Sequence, residues 1–247
     1  MNKLASRIKP RSGFSHLAHL GLTALLPILL YIMVRMHFTQ LAALLVILSK
    51  WRMFAVRPRY WVANIRANAV DIMVGLATVV FMDTASTGLW QVVWAVSYGL
   101  WLVFLKPGSS TLLVSLQAMV AQLVGLMALF LLWGDAPLAL LVAMTWLICY
   151  VCARHFFTTF EESHTSLYAH AWGYFGAALV WVLGHWLLFY GVLAQPTLLL
   201  VVMGYGLSAL YYLEQTDRLS IMWRRQFILI MVAIVAIVLA FSDWQAI

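Results

Sequence analysis

Apolar residues run through this chain in long unbroken stretches, and polar residues are gathered into short breaks between them. Nine stretches, 17–34, 38–50, 66–82, 88–105, 110–133, 136–153, 170–191, 196–213 and 226–243, approach the length a helix needs to cross a bilayer, about 20 residues. Runs such as Leu198 to Met203 and Ile228 to Leu239 do not alternate between apolar and polar positions, as the strands of a membrane β-barrel would. The pattern predicts an all-α fold, a polytopic transmembrane bundle of about nine spanning helices with short loops. A basic tail over 1–16 precedes a single transmembrane domain over 17–247. The count becomes eight or seven if 38–50 or 66–82, the two shortest, fails to cross.

Composition agrees with that pattern. Charged residues make up 9% of the chain and hydrophobic residues 65%, against about 25% and 45–50% in a soluble domain. Cys149 and Cys152, the two cysteines, exclude a disulfide scaffold and read as small apolar fillers. The net charge of +7 is no sign of nucleic acid, because the cations sit in the connectors beside apolar runs, where they set topology and meet anionic lipid.

Threading the nine segments with the N-terminus in the cytoplasm tests the count. Lys3, Arg7, Lys9, Arg11, Lys50, Arg52, Arg57, Arg59, Arg66, Lys106, Arg154, Arg218, Arg224 and Arg225 then share the cytoplasmic side, and of the 15 basic residues only Arg35 faces the other way. The segments were drawn by hydropathy, so the charge asymmetry is a partly independent support. It predicts a multi-pass cell-membrane protein whose C-terminus lies opposite its N-terminus. The basic start is read as an uncleaved anchor, since no small-x-small site follows the first stretch. Among the connectors, Asp135 and Ser110 read as helix caps and Pro196 as a first-turn proline, while Pro27 falls inside the first span.

Polar groups inside lipid are costly and usually face a bundle interior. Three segments carry such a stripe at helical spacing: Asn64, Asn68, Asp71, Gly75 and Thr78; Ser115, Ala118, Gln122 and Gly125; and His170, Tyr174, Ala178, Trp181 and His185. A shared interior between the third, fifth and seventh helices would give a ligand or transport path through Asn68, Asp71, Gln122, Tyr174 and His185. Interhelical packing explains the same stripes without function. Asp71 reads as a coupling group or as the ion-pair partner of Arg66 or Arg59.

Reactive side chains are densest between Arg154 and His170. His155, Glu161, Glu162 and His170 are the catalytic candidates for acid–base chemistry on a lipid-linked substrate at the cytoplasmic face. No His-Glu-x-x-His helix, Cys-x-x-Cys-His, Gly-x-Ser-Gly or phosphate-binding glycine loop occurs, so no metal and no cofactor is expected and no family is indicated. Ser166 stands where a membrane prenyl-protease motif would need arginine. The loop from Lys50 to Arg66 interleaves cations with rings, and Arg52, Arg57, Arg59 and Trp61 are expected to meet lipid headgroups rather than nucleic acid.

Three functions follow. The first is a small permease or ligand-binding bundle for an ion, small solute or lipid. The second is a membrane-embedded enzyme on a lipid-linked substrate. The third is a structural or assembly subunit without chemistry. The expected partners are the bilayer with its anionic lipids and a membrane protein or a second copy of the chain.

Overall fold

The computed structural model describes residues 14–55, 57–104, 110–185, 189–190 and 193–242, and all of their side chains except those of 14–20, 22–23, 52 and 189–190. Nine α-helices lie among the described residues: α1 (Phe14–Arg35), α2 (Thr39–Ser49), α3 (Trp61–Asp83), α4 (Gly88–Phe104), α5 (Thr111–Trp133), α6 (Leu138–Thr159), α7 (Thr165–Leu183), α8 (Gln195–Gln215) and α9 (Ile221–Phe241). Each predicted apolar stretch carries one of them. Two short 3-10 turns, Trp51–Met53 and Pro58–Tyr60, lead into α3, and a small antiparallel hairpin pairs β1 (Phe189–Tyr190) with β2 (Leu193–Ala194).

Five helices are long and apolar enough to cross a membrane by length and composition: α3 with the turn before it, α5, α6, α8 and α9. The chain is therefore membrane-embedded. Its outer surface is consistent with that environment, for Leu89, Phe104, Leu229 and Phe241 are each 70% exposed or more, a surface suited to lipid rather than water. α2 has 11 residues and is about 16 Å long, roughly half the hydrocarbon thickness. α7 is long enough, but its first half carries Tyr168, His170, Trp172 and Tyr174.

Helices α1, α6 and α8 end in the same way without glycine. His37, Glu161 and Asp217 take left-handed backbone conformations, with φ of 62°, 53° and 54°. After each, one amide reaches back five residues and the preceding amide three: Phe38 to Met33 with His37 to Val34, Glu162 to Phe157 with Glu161 to Thr158, and Arg218 to Leu213 with Asp217 to Glu214. This pair of bonds is the Schellman stop, which satisfies two otherwise open carbonyls. The expected side-chain caps are replaced by backbone solutions. Pro137 rather than Asp135 precedes α6, and Ser110 precedes α5 without a capping side-chain bond. Pro196 sits in the first turn of α8 as its fixed φ favours.

The helices divide into two compact units, one of α1, α2, α4 and α3 from Thr78, the other of α3 through Ala77 with α5 to α9. In the first unit, Pro27 of α1 lies against Gly99 of α4. Thr39 Oγ1 donates to Asp83 Oδ1 at 2.7 Å, and Gln91 Nε2 donates to the Met82 carbonyl at 3.0 Å. In the second unit α5 is central, burying Ser115, Ala118, Ala121, Gln122, Gly125 and Leu126 among others. α6 and α7 approach closely because Gly173 and Gly176 face α6. A Cβ at Gly173 would lie 3.1 Å from the Trp146 carbonyl oxygen, and one at Gly176 only 2.8 Å from Cys149 Sγ. Leu183, Leu199 and Val238 join α7, α8 and α9, and Gln195 Nε2 donates to Ser242 Oγ at 2.9 Å in the same buried region. α9 is otherwise outside, with Val238 its one buried residue.

Candidate functional site

A cavity of about 460 Å³ lies among α5, α6, α7 and α8, within the usual size range of small-molecule sites. Its floor is built around Gln122 of α5, which is 6% exposed. The amide nitrogen donates to the Leu200 carbonyl at 3.0 Å, and the amide oxygen accepts from Trp172 Nε1 at 2.9 Å. These bonds orient both the amide and the indole. Gly204 makes room for them, since a Cβ there would sit 3.0 Å from Gln122 Nε2 and 3.2 Å from the Trp172 ring.

From this floor the cavity follows α8 from Val201 to Tyr211, about 15 Å at a helical rise of 1.5 Å per residue. Phe156 and Phe157 of α6 and Trp172 and Phe175 of α7 form much of the wall. Ser208 directs its one hydroxyl proton to the Gly204 carbonyl, with Met119 Sδ also in reach, so it offers a ligand an acceptor rather than a donor. Of the lining residues, Phe175 of α7 and Tyr205 of α8 also reach the surface, at 38% and 53% exposed.

At the far end Tyr211 meets the α6–α7 connector. Its hydroxyl donates to Glu162 Oε2 at 2.5 Å. Glu162 Oε1 accepts from Ser163 Oγ at 3.2 Å and from the His164 amide at 3.4 Å. The Tyr211 bond and, after it, the His164 amide hold the Glu162 carboxyl below its ordinary value. Rings crowd this end: Phe156, Phe157 and Phe160 centre 5.7, 5.2 and 5.3 Å from the Tyr211 ring, mostly edge to face.

The residues singled out from sequence fall in several places. On α3 the polar stripe is half-buried to buried, as its spacing implied. Asn68 Nδ2 donates to the Asn64 carbonyl at 2.9 Å. His155 Nε2 lies 3.3 Å from Gln117 Oε1 of α5. The α5 stripe is buried throughout.

The α7 stripe differs from expectation. Tyr174 is 64% exposed, and Trp181 and His185 are exposed with their rings in contact at 5.8 Å. The face buried instead is Ala169, Gly173, Gly176, Val180 and Leu183. Tyr174 and His185 therefore do not meet Gln122 in one interior.

The catalytic candidates do not converge either. His170 packs against Trp146, Tyr150 and Tyr174, with Nδ1 2.7 Å from the Ser166 carbonyl oxygen. Glu161 is exposed at the turn, and Glu162 is engaged with Tyr211. Among the described residues no three of His, Cys, Asp and Glu gather as a metal-holding group, and both cysteines are buried and free. In the basic loop, Arg57 is exposed, Arg59 lies 4.6 Å over the Tyr60 ring, and Trp61 meets Phe54 edge-on at 5.6 Å. The Arg52 side chain lies outside the described set.

Of the residues lining this cavity, the sequence points to Gln122 but not to Phe156, Phe157, Trp172, Gly204 or Tyr211. Aromatic and glycine positions are common packing elements in any membrane helix, so nothing local marked these as neighbours of Gln122. The chain matches no protein-family model, no curated protein and no solved structure.

Proposed function

We propose that the protein is a multi-pass cell-membrane permease or binding protein whose α5–α8 cavity receives the apolar body of a lipid or lipid-like small molecule. The observation that carries this reading is the cavity itself. It is apolar along its length, and its deepest polar group, Gln122, already has both ends bonded. Such a floor does not compete for a hydrated solute, because stripping water from a polar ligand without new hydrogen bonds is costly. An apolar body loses nothing comparable and gains area burial. The exposure of the lining residues Phe175 and Tyr205 supports entry from the side.

In the same reading the N-terminus and the cationic connectors are cytoplasmic and the C-terminus lies opposite. α2 makes the second crossing as a short helix, and the turns from Trp51 to Tyr60 lie at the cytoplasmic interface. Arg52, Arg57, Arg59 and Trp61 meet anionic headgroups, and the chain works within the bilayer with a membrane-protein partner or a second copy.

The experiment is tryptophan quenching by 12-bromododecanol, an uncharged chain, with the protein in nanodiscs. Saturable quenching is expected in the wild type. Trp172→Phe should remove that component, and Ala171→Phe, which fills the cavity from its open side, should weaken it. Quenching that is unsaturable and identical in all three proteins contradicts a cavity ligand.

A further inference from the structure

On the reading that the α5–α8 cavity is a binding site, we infer that its ligand is an amphiphilic cation, with an ammonium-like charge beside Glu162 and an apolar body extending toward Gln122. Three features at or beside the far end of the cavity converge on this class, Glu162 adjoining the lining through its bond to Tyr211 rather than forming part of it.

The first is the carboxylate. Glu162 is 19% exposed, and its place is set by two constraints. The left-handed Glu161 backbone turns the chain there, and Tyr211, itself part of the cavity wall, bonds Glu162 Oε2. An ionised carboxylate offers about four acceptor sites. The bonds from Tyr211, Ser163 and the His164 amide occupy three, and Oε2 keeps capacity for a further donor or a cation.

The second is the charge balance. Among the described residues the one basic group within ion-pair distance of Glu162 is His164, whose Nδ1 is 3.9 Å away and whose side chain is 65% exposed. Among the described residues no lysine or arginine lines the cavity. Arg154, the nearest arginine in sequence, is engaged elsewhere, with Nη1 2.6 Å from the Tyr150 hydroxyl and its guanidinium over the Tyr150 ring.

The third is the ring cluster. Phe156, Phe157, Tyr168 and Tyr211 line the same end. Ring faces attract cations through their quadrupoles and repel anions, so the rings and the carboxylate select the same sign. A small hydrated metal cation is a poor fit, since the remaining length of the cavity is apolar and would stay empty. An anionic amphiphile would meet an unfavourable charge, and a neutral one would make no use of Glu162.

The test measures binding of tritiated tetraphenylphosphonium to the full chain in zwitterionic nanodiscs. The competitors are dodecyltrimethylammonium, dodecanol and dodecyl sulfate, all below micelle-forming concentration. Saturable binding is expected, displaced by dodecyltrimethylammonium but not by the other two at equal concentration. Losing one charge-assisted contact in Glu162→Gln should weaken binding about tenfold, while Glu162→Asp retains most of it. Thermal unfolding of each variant verifies that it is folded.

Binding unchanged in folded Glu162→Gln, or displacement by dodecanol as effective as by the cation, overturns the charge assignment. In that case the cavity reading still holds if Ala171→Phe abolishes binding. Binding that Ala171→Phe leaves untouched removes the cavity reading itself. No saturable binding of the cation to the wild type also overturns the charge assignment, and the uncharged bromododecanol measurement then decides the cavity separately.

Discussion

Glu162 and its neighbour Glu161 show how much a single turn can determine. Glu161 occupies the left-handed position of the α6 stop, a conformation that costs a non-glycine residue roughly 1–2 kcal/mol. Glycine relieves that strain but loses more backbone entropy on folding. Glu161→Gly is therefore expected to stabilise the protein by up to about 1 kcal/mol, read as a small rise in melting temperature, and a fall would show that the Glu161 side chain contributes more than its backbone costs. Glu162 supplies a pH dependence. Its folded carboxyl titrates below the ordinary 4.5, chiefly through the Tyr211 hydroxyl. A carboxyl lowered by folding stabilises the fold above its unfolded value, and that contribution disappears as pH falls through the folded value. The wild type should thus lose more melting temperature than Glu162→Gln between neutral pH and pH well below 4.5. Parallel curves for the two proteins would refute the coupling. Neither residue could be given this role from sequence, because a glutamate pair in a connector reads as ordinary solvated charge until Tyr211, 49 residues away, is brought to it.

At the level of helices, α7 is where sequence and structure part. Two stripes share it. One is polar and aromatic, through His170, Tyr174 and His185; the other, turned away from it, is small, through Ala169, Gly173 and Gly176. The rule that polar groups turn inward favoured the first. Close packing favoured the second, since small residues let two backbones approach along a whole helix face, while histidine and tyrosine satisfy their polar ends at the periphery and among neighbouring rings. The α3 and α5 stripes contain both small and polar residues on one face, so the two preferences agree and those faces are half-buried to buried. The closeness of α6 and α7 has a measurable consequence. Gly176→Ala places a methyl 2.8 Å from Cys149 Sγ and is expected to destabilise by about 1–3 kcal/mol, the usual range for overpacking. Adding Cys149→Ala should restore part of the loss. A thiol-reactive dye followed through thermal unfolding reports this directly, since Cys149 and Cys152 are both buried; an unchanged midpoint in the single variant would show that the helices part at no cost.

Across the whole molecule, the helical class and the approximate positions of the nine helices among the described residues were legible, because a bilayer demands long apolar runs and water-facing breaks, and both are visible in one dimension. The cavity was not legible. It depends on which faces of α5 to α8 meet, and those are settled by glycine contacts and a single amide–indole pair rather than by hydropathy. The extent of α2 was legible too, since its 11 residues nearly fill the stretch 38–50; whether so short a helix crosses is what hydropathy left open. The proposed threading makes a prediction at this scale. With single cysteines introduced on a Cys149→Ala, Cys152→Ala background, an impermeant thiol reagent applied to intact cells should label a site appended to the C-terminus and leave one at Arg57 unlabelled. Labelling at Arg57 from outside would reverse the charge asymmetry on which the arrangement rests.

Entry past the exposed Phe175 and Tyr205, as proposed, has a consequence for how occupancy is counted. A molecule that reaches its site sideways from oil is supplied according to its mole fraction in the membrane, not its molarity in water. Partitioning then does much of the concentrating, and even weak intrinsic attraction fills the site. With a fixed total amount of such a strongly partitioning guest, doubling the surrounding lipid should halve its mole fraction and right-shift the titration accordingly, whereas a guest arriving from the aqueous phase would show no such dilution.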